Sequence, residues 1–250
     1  MMTLIISVFV GLLSALLINY LADILPIKRR IAKPICDACH ATVKLGDYLL
    51  FFKPCPNCGL RRNRRWLILP VFFPILFLLL AHFDLYRFES GIFDWILISY
   101  LSLIVVIDLE YKVILNEVAL AGIVICGVAG VLLHGSIITL IGGVSGFLIM
   151  LVLYYLGRVF VKVVNKIRGS SITEDDALGF GDVNLSGLLG LLLGWQGIFA
   201  GLFFGILVGG LVSGFYLVCQ LLRKRYTAYH ALPYAPFLII GALLLLYLPN

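Results

Sequence analysis

The sequence predicts an all-α polytopic membrane protein of about eight transmembrane helices with a small zinc-stapled cytoplasmic insert. Three observations carry that prediction. Hydrophobic residues make up 62% of the 250 positions and charged residues only 13%, whereas about a quarter of a soluble domain is charged. The apolar residues gather into runs, most of them long enough for a helix to cross a bilayer. Basic residues and two Cys-x-x-Cys pairs occupy the polar stretches between alternate runs.

The runs lie near 3–25, 66–82, 91–108, 114–133, 136–164, 182–194, 196–222 and 232–248. No basic residue precedes the first and no small-residue cleavage site follows it, whereas Lys28, Arg29 and Arg30 do. It therefore reads as a retained anchor and not as a removed signal peptide. The sixth and seventh runs meet at Gly194-Trp195-Gln196-Gly197, where a very tight turn is expected. Gly197, Gly201, Gly205 and Gly209 recur every four residues in the seventh run, a stripe that lets membrane helices pack closely. Trp66, Trp95 and Trp195 fall near run ends, as interfacial anchors do. Cys126 and Cys219 lie inside apolar runs, where a lone cysteine is a small buried residue.

Lysine and arginine segregate almost completely by loop parity. Lys28, Arg29, Arg30, Lys33, Lys44, Lys53, Arg61, Arg62, Arg64 and Arg65 follow the first run, and Lys112 follows the third. Arg158, Lys162, Lys166 and Arg168 close or follow the fifth, and Arg223, Lys224 and Arg225 follow the seventh. Loops of the other parity carry essentially Arg87 alone. Because basic loops stay cytoplasmic, both termini are expected outside, with the cysteines, Asp108 and Asp182 at the cytosolic face. The net charge of +6 is thus a topology signal for a protein whose partner is the lipid bilayer. Nucleic acid is not an expected partner, since the charges are spread over loops at one face.

The sizeable polar piece, residues 27–65, is too short to bury its own core without a staple. Cys36-Asp37-Ala38-Cys39 and Cys55-Pro56-Asn57-Cys58 supply one. Two Cys-x-x-Cys pairs at this separation suit a tetrahedral Zn²⁺ with Cys36, Cys39, Cys55 and Cys58 as ligands. Four protein ligands leave no open position, so the metal would fold the loop and do no chemistry. Disulfides or a dithiol relay would need an oxidising compartment. Cys39-His40 completes a c-type haem signature, but that reading needs export and leaves the second pair unexplained.

Two acids stand at the edges of apolar runs: Asp108 in Val106-Ile107-Asp108-Leu109-Glu110, and Asp182 in Gly179-Phe180-Gly181-Asp182-Val183. An ionised carboxylate beside hydrocarbon is costly, which marks each as a candidate functional residue. Taken singly, Asp182 reads as a helix cap and Asp108 as an interfacial acid. Together, on one side and at similar depth, they can meet. Carboxylates within hydrogen-bonding range tend to share one proton, so that one serves as base and the other as acid. That is the chemistry of aspartic peptide hydrolysis and needs no cofactor. Gly179 and Gly181, lacking a Cβ, would permit an unusual backbone path and close approach of a substrate strand.

The Gly179-x-Gly181-Asp182 run and the upstream Asp108-Leu109-Glu110 segment resemble the type IV prepilin peptidases, which belong with the preflagellin peptidases and presenilin among the GxGD intramembrane aspartyl proteases. So do the four-cysteine insert, the Gly11 to Asn19 stretch with Leu25-Pro26, and Leu232-Pro233-Tyr234-Ala235-Pro236-Phe237, which is similar to the family's Pro-Phe-Gly-Pro-Phe-type run. The resemblance spans essentially the whole chain. It divides it into a first transmembrane helix (1–26), the zinc insert (27–65) and a membrane-embedded aspartic peptidase domain (66–250). It implies that Asp108 and Asp182 are the catalytic pair, and that the substrates are prepilin or pseudopilin precursors whose basic leader is cut at the cytoplasmic face of the inner membrane. Many members also methylate the new N-terminus with S-adenosylmethionine, an activity linked to the cysteine insert. Asn184 stands where the family often has lysine, and Leu115-Asn116-Glu117 where it commonly has Leu-Pro-Asp.

Pro233 and Pro236 would break the start of the last run beside the site and shape a substrate groove. Glu174, Asp175 and Asp176 form an acidic cluster before the glycines, read as a solvated loop able to receive a basic leader. An ion-coupled transporter with paired intramembrane carboxylates is the competing class. It calls for inverted repeats and mid-membrane acids, and the chain has no evident internal repeat.

Overall fold

The structure is a computed structural model, described for residues 2–36, 39, 41–49, 54–60, 63–89, 91–168, 179–222 and 233–247. Its helices in chain order are α1 (Met2–Lys28), α2 (Leu45–Leu49), α3 (Arg65–His82), α4 (Ile92–Tyr111), α5 (Asn116–His134), α6 (Ser136–Arg168), α7 (Phe180–Leu222) and α8 (Ala235–Tyr247). Among the described residues no strand forms beyond a single antiparallel bridge, Ile35 to Thr42. The fold class is all-α, as expected. Six helices (α1 and α3 to α7) are long and apolar enough to cross a membrane, and α8 is a shorter apolar helix. The chain is an integral membrane protein. Pro26, Pro70 and Pro74 lie inside α1 and α3, as membrane helices tolerate because neighbouring groups re-satisfy the freed carbonyls. The acidic cluster Glu174 to Asp176 lies outside the described residues, as does Leu232.

The two runs expected to meet at Gly194 form one helical element, α7, interrupted only there, with φ 70° and ψ 177°. A straight helix of 43 residues would measure about 65 Å, roughly twice the hydrocarbon core of a bilayer, and the kink at Gly194 is where α7 changes direction. A Cβ at Gly194 would be strained by the positive φ and would sit 2.9 Å from Ile138 Cγ2. Gly194→Ala should therefore destabilise the protein by about 1–2 kcal/mol, read as a lower thermal unfolding temperature in detergent. Gly210→Ala, on the same helix with open space around its Cβ, should leave that temperature unchanged or raise it.

The chain divides into two compact units, Met1–Ile107 and Asp108–Asn250, with the boundary inside α4. In the first unit α1 packs on α3. Gly11 makes this approach possible, because a Cβ there would lie 2.7 Å from the backbone of Pro74. Phe73 and Phe77 fill the interior. Two acids are buried in this unit, each with partners. Asp94, in the first turn of α4, accepts the backbone N–H groups of Arg87 at 3.0 Å and Phe88 at 3.1 Å. Asp23 pairs with Arg65, a residue whose charge the count over loops treats as a topology signal alone.

In the second unit α7 is the central element, against which α5, α6 and α8 all pack. Its first half meets α6 through glycine on glycine: a Cβ on Gly142 would lie 2.3 Å from the Gly190 carbonyl oxygen, and one on Gly190 would lie 2.1 Å from that of Gly142. Its second half meets α8 through the predicted stripe. Gly205 faces Leu238, Gly209 faces Tyr234 and Phe237, and Gly201 lies against Leu245, while the nearest neighbour of Gly197 is Leu193 of its own helix. This tight packing fixes the start of α7 relative to the start of α8, the two helix ends that hold the candidate site.

Candidate active site and metal centre

Asp108 and Asp182 lie together in the second unit. Asp108 stands in the last turn of α4, 5% exposed, and Asp182 in the first turn of α7, 8% exposed. They are near enough for the charge of Asp108 to act directly on Asp182. Helix α4 ends just beyond Asp108, with the Lys112 N–H donating to the Asp108 carbonyl at 2.9 Å and Lys112 itself in a left-handed conformation, φ 54°. This reversal turns the chain back toward the site. It lays Ile114 against Gly181, where a Cβ would come 2.9 Å from Ile114 Cβ. Gly181 therefore has a packing reason to be glycine. Gly179 meets little besides the Asp182 carboxylate, at 3.7 Å from its notional Cβ.

Asp182 is the third residue of α7 and not its cap. Its N–H donates to the Gly179 carbonyl at 3.1 Å, and its side chain lies near the positive end of the helix dipole, which favours an anion there. Asp108 receives similar support from another helix. The Ala235 N–H, first in α8, donates to Asp108 Oδ2 at 3.2 Å. A helix leaves its first N–H groups without intrahelical acceptors. Pro236, which follows, has none to offer. Within the proline-bounded turn Pro233 to Pro236, the Ala235 N–H has no intrahelical acceptor, and Asp108 takes it. Tyr234 also belongs here: its carbonyl accepts the Phe237 N–H at 3.1 Å, and burial, with the nearby charge of Asp182, pushes its phenol above the usual tyrosine range. The sequence singles out the prolines of this run; the groups that reach the acids belong to the residues between them.

The four cysteines lie in the first unit. Their sulfur atoms all fall within 4.8 Å of one another, with Cys36 Sγ to Cys58 Sγ and Cys39 Sγ to Cys55 Sγ both 3.8 Å. Thiolates at about 2.3 Å from a tetrahedral zinc lie about 3.8 Å apart, so the donor set fits the metal. A disulfide, at about 2.05 Å, is not formed. The pairs sit on tight turns. Cys36 N–H donates to Ala41 O at 2.9 Å, Cys55 N–H donates to Leu60 O at 3.0 Å, and Gly59 N–H donates back to Cys55 O at 2.9 Å. Backbone N–H groups of Cys58 and then Asn57 directed at Cys55 lower its thiol to about 6, which favours the thiolate a metal requires. Zinc content should fall from about one per chain to near zero in Cys36→Ser and in Cys55→Ser, measured by elemental analysis of the purified protein.

Two buried carboxylates thus lie at helix ends within electrostatic reach of each other, Asp108 accepting the first N–H of α8 and Asp182 within the first turn of α7. Residues 95–214 match the type IV leader peptidase family. The match, just under half of the chain, supports assigning it to that family of peptidases. The matched stretch contains both Asp108 and Asp182; the cysteines and the Pro233–Phe237 run lie outside it. No curated protein and no solved structure matches the chain significantly.

Proposed function

We propose that this peptidase is an aspartic endopeptidase that removes the basic leader from type IV prepilin-like precursors at the cytoplasmic face of the bacterial inner membrane. The observation that carries the reading is the burial of Asp108 and Asp182 together inside the family-matched stretch. One carboxylate takes a proton from water as the oxygen attacks the scissile carbonyl, and the other, protonated, donates to that carbonyl oxygen. The proton is then delivered to the leaving nitrogen as the C–N bond breaks. Gly179, whose notional Cβ would lie 3.7 Å from the Asp182 carboxylate, is the place for an extended substrate strand to pass beside Asp182. The peptidase domain would run from residue 66 to 250, and the basic loops would face the cytosol along the bilayer's inner surface. The cysteine set would hold a structural zinc through Cys36, Cys39, Cys55 and Cys58, which supplies cross-linking and no chemistry.

The test is cleavage of a synthetic prepilin-like precursor by the purified protein, with Asp108→Asn and Asp182→Asn alongside. Release of the leader by the wild type and by neither variant is the expected result; cleavage by either variant at the wild-type rate rejects the pair. The same digest run with S-adenosylmethionine reads the second activity. A product heavier by one methyl group assigns methylation to this chain, and an unchanged mass confines it to hydrolysis.

A further inference from the structure

Asp23 is buried at the C-terminal end of α1, and its side-chain partners come from α2, between the two cysteine pairs, and from the start of α3, which follows them. Arg65, the first residue of α3, pairs with one carboxylate oxygen and donates through Nε to Asn19 Oδ1 at 2.9 Å. Tyr48 of α2 donates its hydroxyl to the other oxygen at 2.5 Å, and the Trp66 indole N–H approaches the same oxygen at 3.3 Å. The rings of Tyr48 and Trp66 meet edge to face at 4.8 Å, and Tyr20 stands against Tyr48 at 6.2 Å. A lone buried carboxylate would be costly; paired and hydrogen-bonded on both oxygens, it is held.

From this cluster two short paths lead to the sulfurs. Val43, on the arm closing the first cysteine turn, forms one buried apolar cluster with Tyr48 and Trp66, and Cys36 packs against that cluster. That arm is tied by Val43 N–H to Pro34 O at 2.8 Å. The second cysteine turn runs into α3 through Asn63, whose carbonyl accepts the Trp66 N–H at 3.0 Å. The stretch between α1 and α3 is thus closed twice: by the Asp23 cluster at its base, and at its tip by the sulfurs, where a metal would join the two turns.

We propose that the Asp23–Arg65–Tyr48 cluster and the four-cysteine metal site are one thermodynamically linked unit, so that each closure strengthens the other. The inference rests on the zinc reading of the cysteines, and not on the peptidase reaction. Closing the loop at one end lowers the entropy lost on closing it at the other. Linkage is reciprocal: if the cluster strengthens metal binding, metal strengthens the cluster by the same factor. Groups that orient metal ligands from outside the coordination sphere commonly change affinity 10–100-fold. The same role is expected of Tyr48, through the apolar cluster against which Cys36 packs.

The discriminating variant is Tyr48→Phe, which keeps the ring against Trp66 and removes only the hydroxyl donor to Asp23. Zinc affinity of the full-length protein in detergent, measured by competition with a chromophoric chelator, should fall about tenfold in Tyr48→Phe and further in Asp23→Asn. Tyr86→Phe, which removes a buried hydroxyl of the same unit that has no hydrogen-bond partner among the described residues, should bind zinc as the wild type does. In the reciprocal measurement, stripping zinc from the wild type should speed hydrogen exchange at Asn19–Pro26 and Arg65–Leu69 and leave α5 unchanged. If Asp23→Asn does not fold, Tyr48→Phe and the exchange measurement still decide. A wild type that binds zinc, with Tyr48→Phe within twofold of it and exchange unaltered, overturns the linkage alone. A wild type that takes up no zinc overturns the metal reading and the linkage with it.

Discussion

Asp108→Asn and Asp182→Asn should each lower kcat/KM for the proposed leader cleavage by on the order of 10³-fold or more, with little loss of thermal stability. The two effects separate because of where the side chains sit. In Asp108→Asn the side-chain amide oxygen can still accept the Ala235 N–H that reaches Asp108 Oδ2 at 3.2 Å, so that hydrogen bond survives. In Asp182→Asn the new side chain keeps its place in the first turn of α7, where the Asp182 N–H already donates to Gly179. Neither amide can take a proton from water or hand one to a carbonyl. Removing one charge also relieves the repulsion between two buried acids, which offsets part of any lost hydrogen bonding. Asp94→Asn provides the contrast. Both Asp94 oxygens accept backbone N–H groups, and an amide can accept on one side only. It should lower the unfolding temperature while the fraction that remains folded cleaves at the wild-type rate. A full rate in either Asp108→Asn or Asp182→Asn, measured by mass spectrometry of the released leader, would remove that residue from the chemistry.

The parts of this structure that the sequence makes legible are those governed by local composition. Apolar runs mark helices because the bilayer requires about twenty such residues in a row, and α1, α3, α4, α5 and α6 begin and end close to where those runs do. Gly194 is visible as a break because glycine beside tryptophan interrupts an apolar run. Asp108 and Asp182 stand out because of the motifs around them, whereas Asp23 and Asp94, also near run edges, do not. Groups that act through the backbone are not legible. The Ala235 N–H is free to reach Asp108 because α8 begins there, and no side chain advertises it. Asp23 is hidden for a related reason: its partners Tyr48 and Arg65 are 25 and 42 residues distant, and a count of basic loop residues uses Arg65 for its charge without asking whether it is buried. Glycine contacts between helices are half visible. The four-residue stripe on the second half of α7 is regular, whereas Gly142, Gly143 and Gly146 on α6 face Gly190, Leu191 and Ser186 in a register that only the packed pair reveals.

That unforeseen contact carries the second large expected effect. Gly142→Ala or Gly190→Ala should each destabilise the second unit by about 2–3 kcal/mol, seen as a lower unfolding temperature in detergent and as earlier loss of monodispersity on heating. The new methyl would meet the facing carbonyl oxygen at 2.3 Å in one case and 2.1 Å in the other. Those neighbours are backbone, so no rotamer change relieves the clash and the helices themselves must separate. Membrane helices gain much of their association from such close packing, since lipid offers no hydrophobic drive between them. Gly127→Ala, with open space around its Cβ, should be neutral or mildly stabilising by the helix propensity of alanine. The two contacts are reciprocal halves of one crossing, which makes a sharper prediction. Once Gly142→Ala has pushed α6 away from α7, the space needed by a methyl at 190 is already partly open. The double variant should therefore be less destabilised than the sum of the singles by about 1 kcal/mol or more. Additive losses would mean that the helices do not move as rigid bodies at this crossing. Because Asp182 lies on α7 about one helical turn before Ser186, whose carbonyl faces Gly146, the same separation should lower the cleavage rate of the folded protein as well, and the loss in the double variant should again fall short of the product of the two singles.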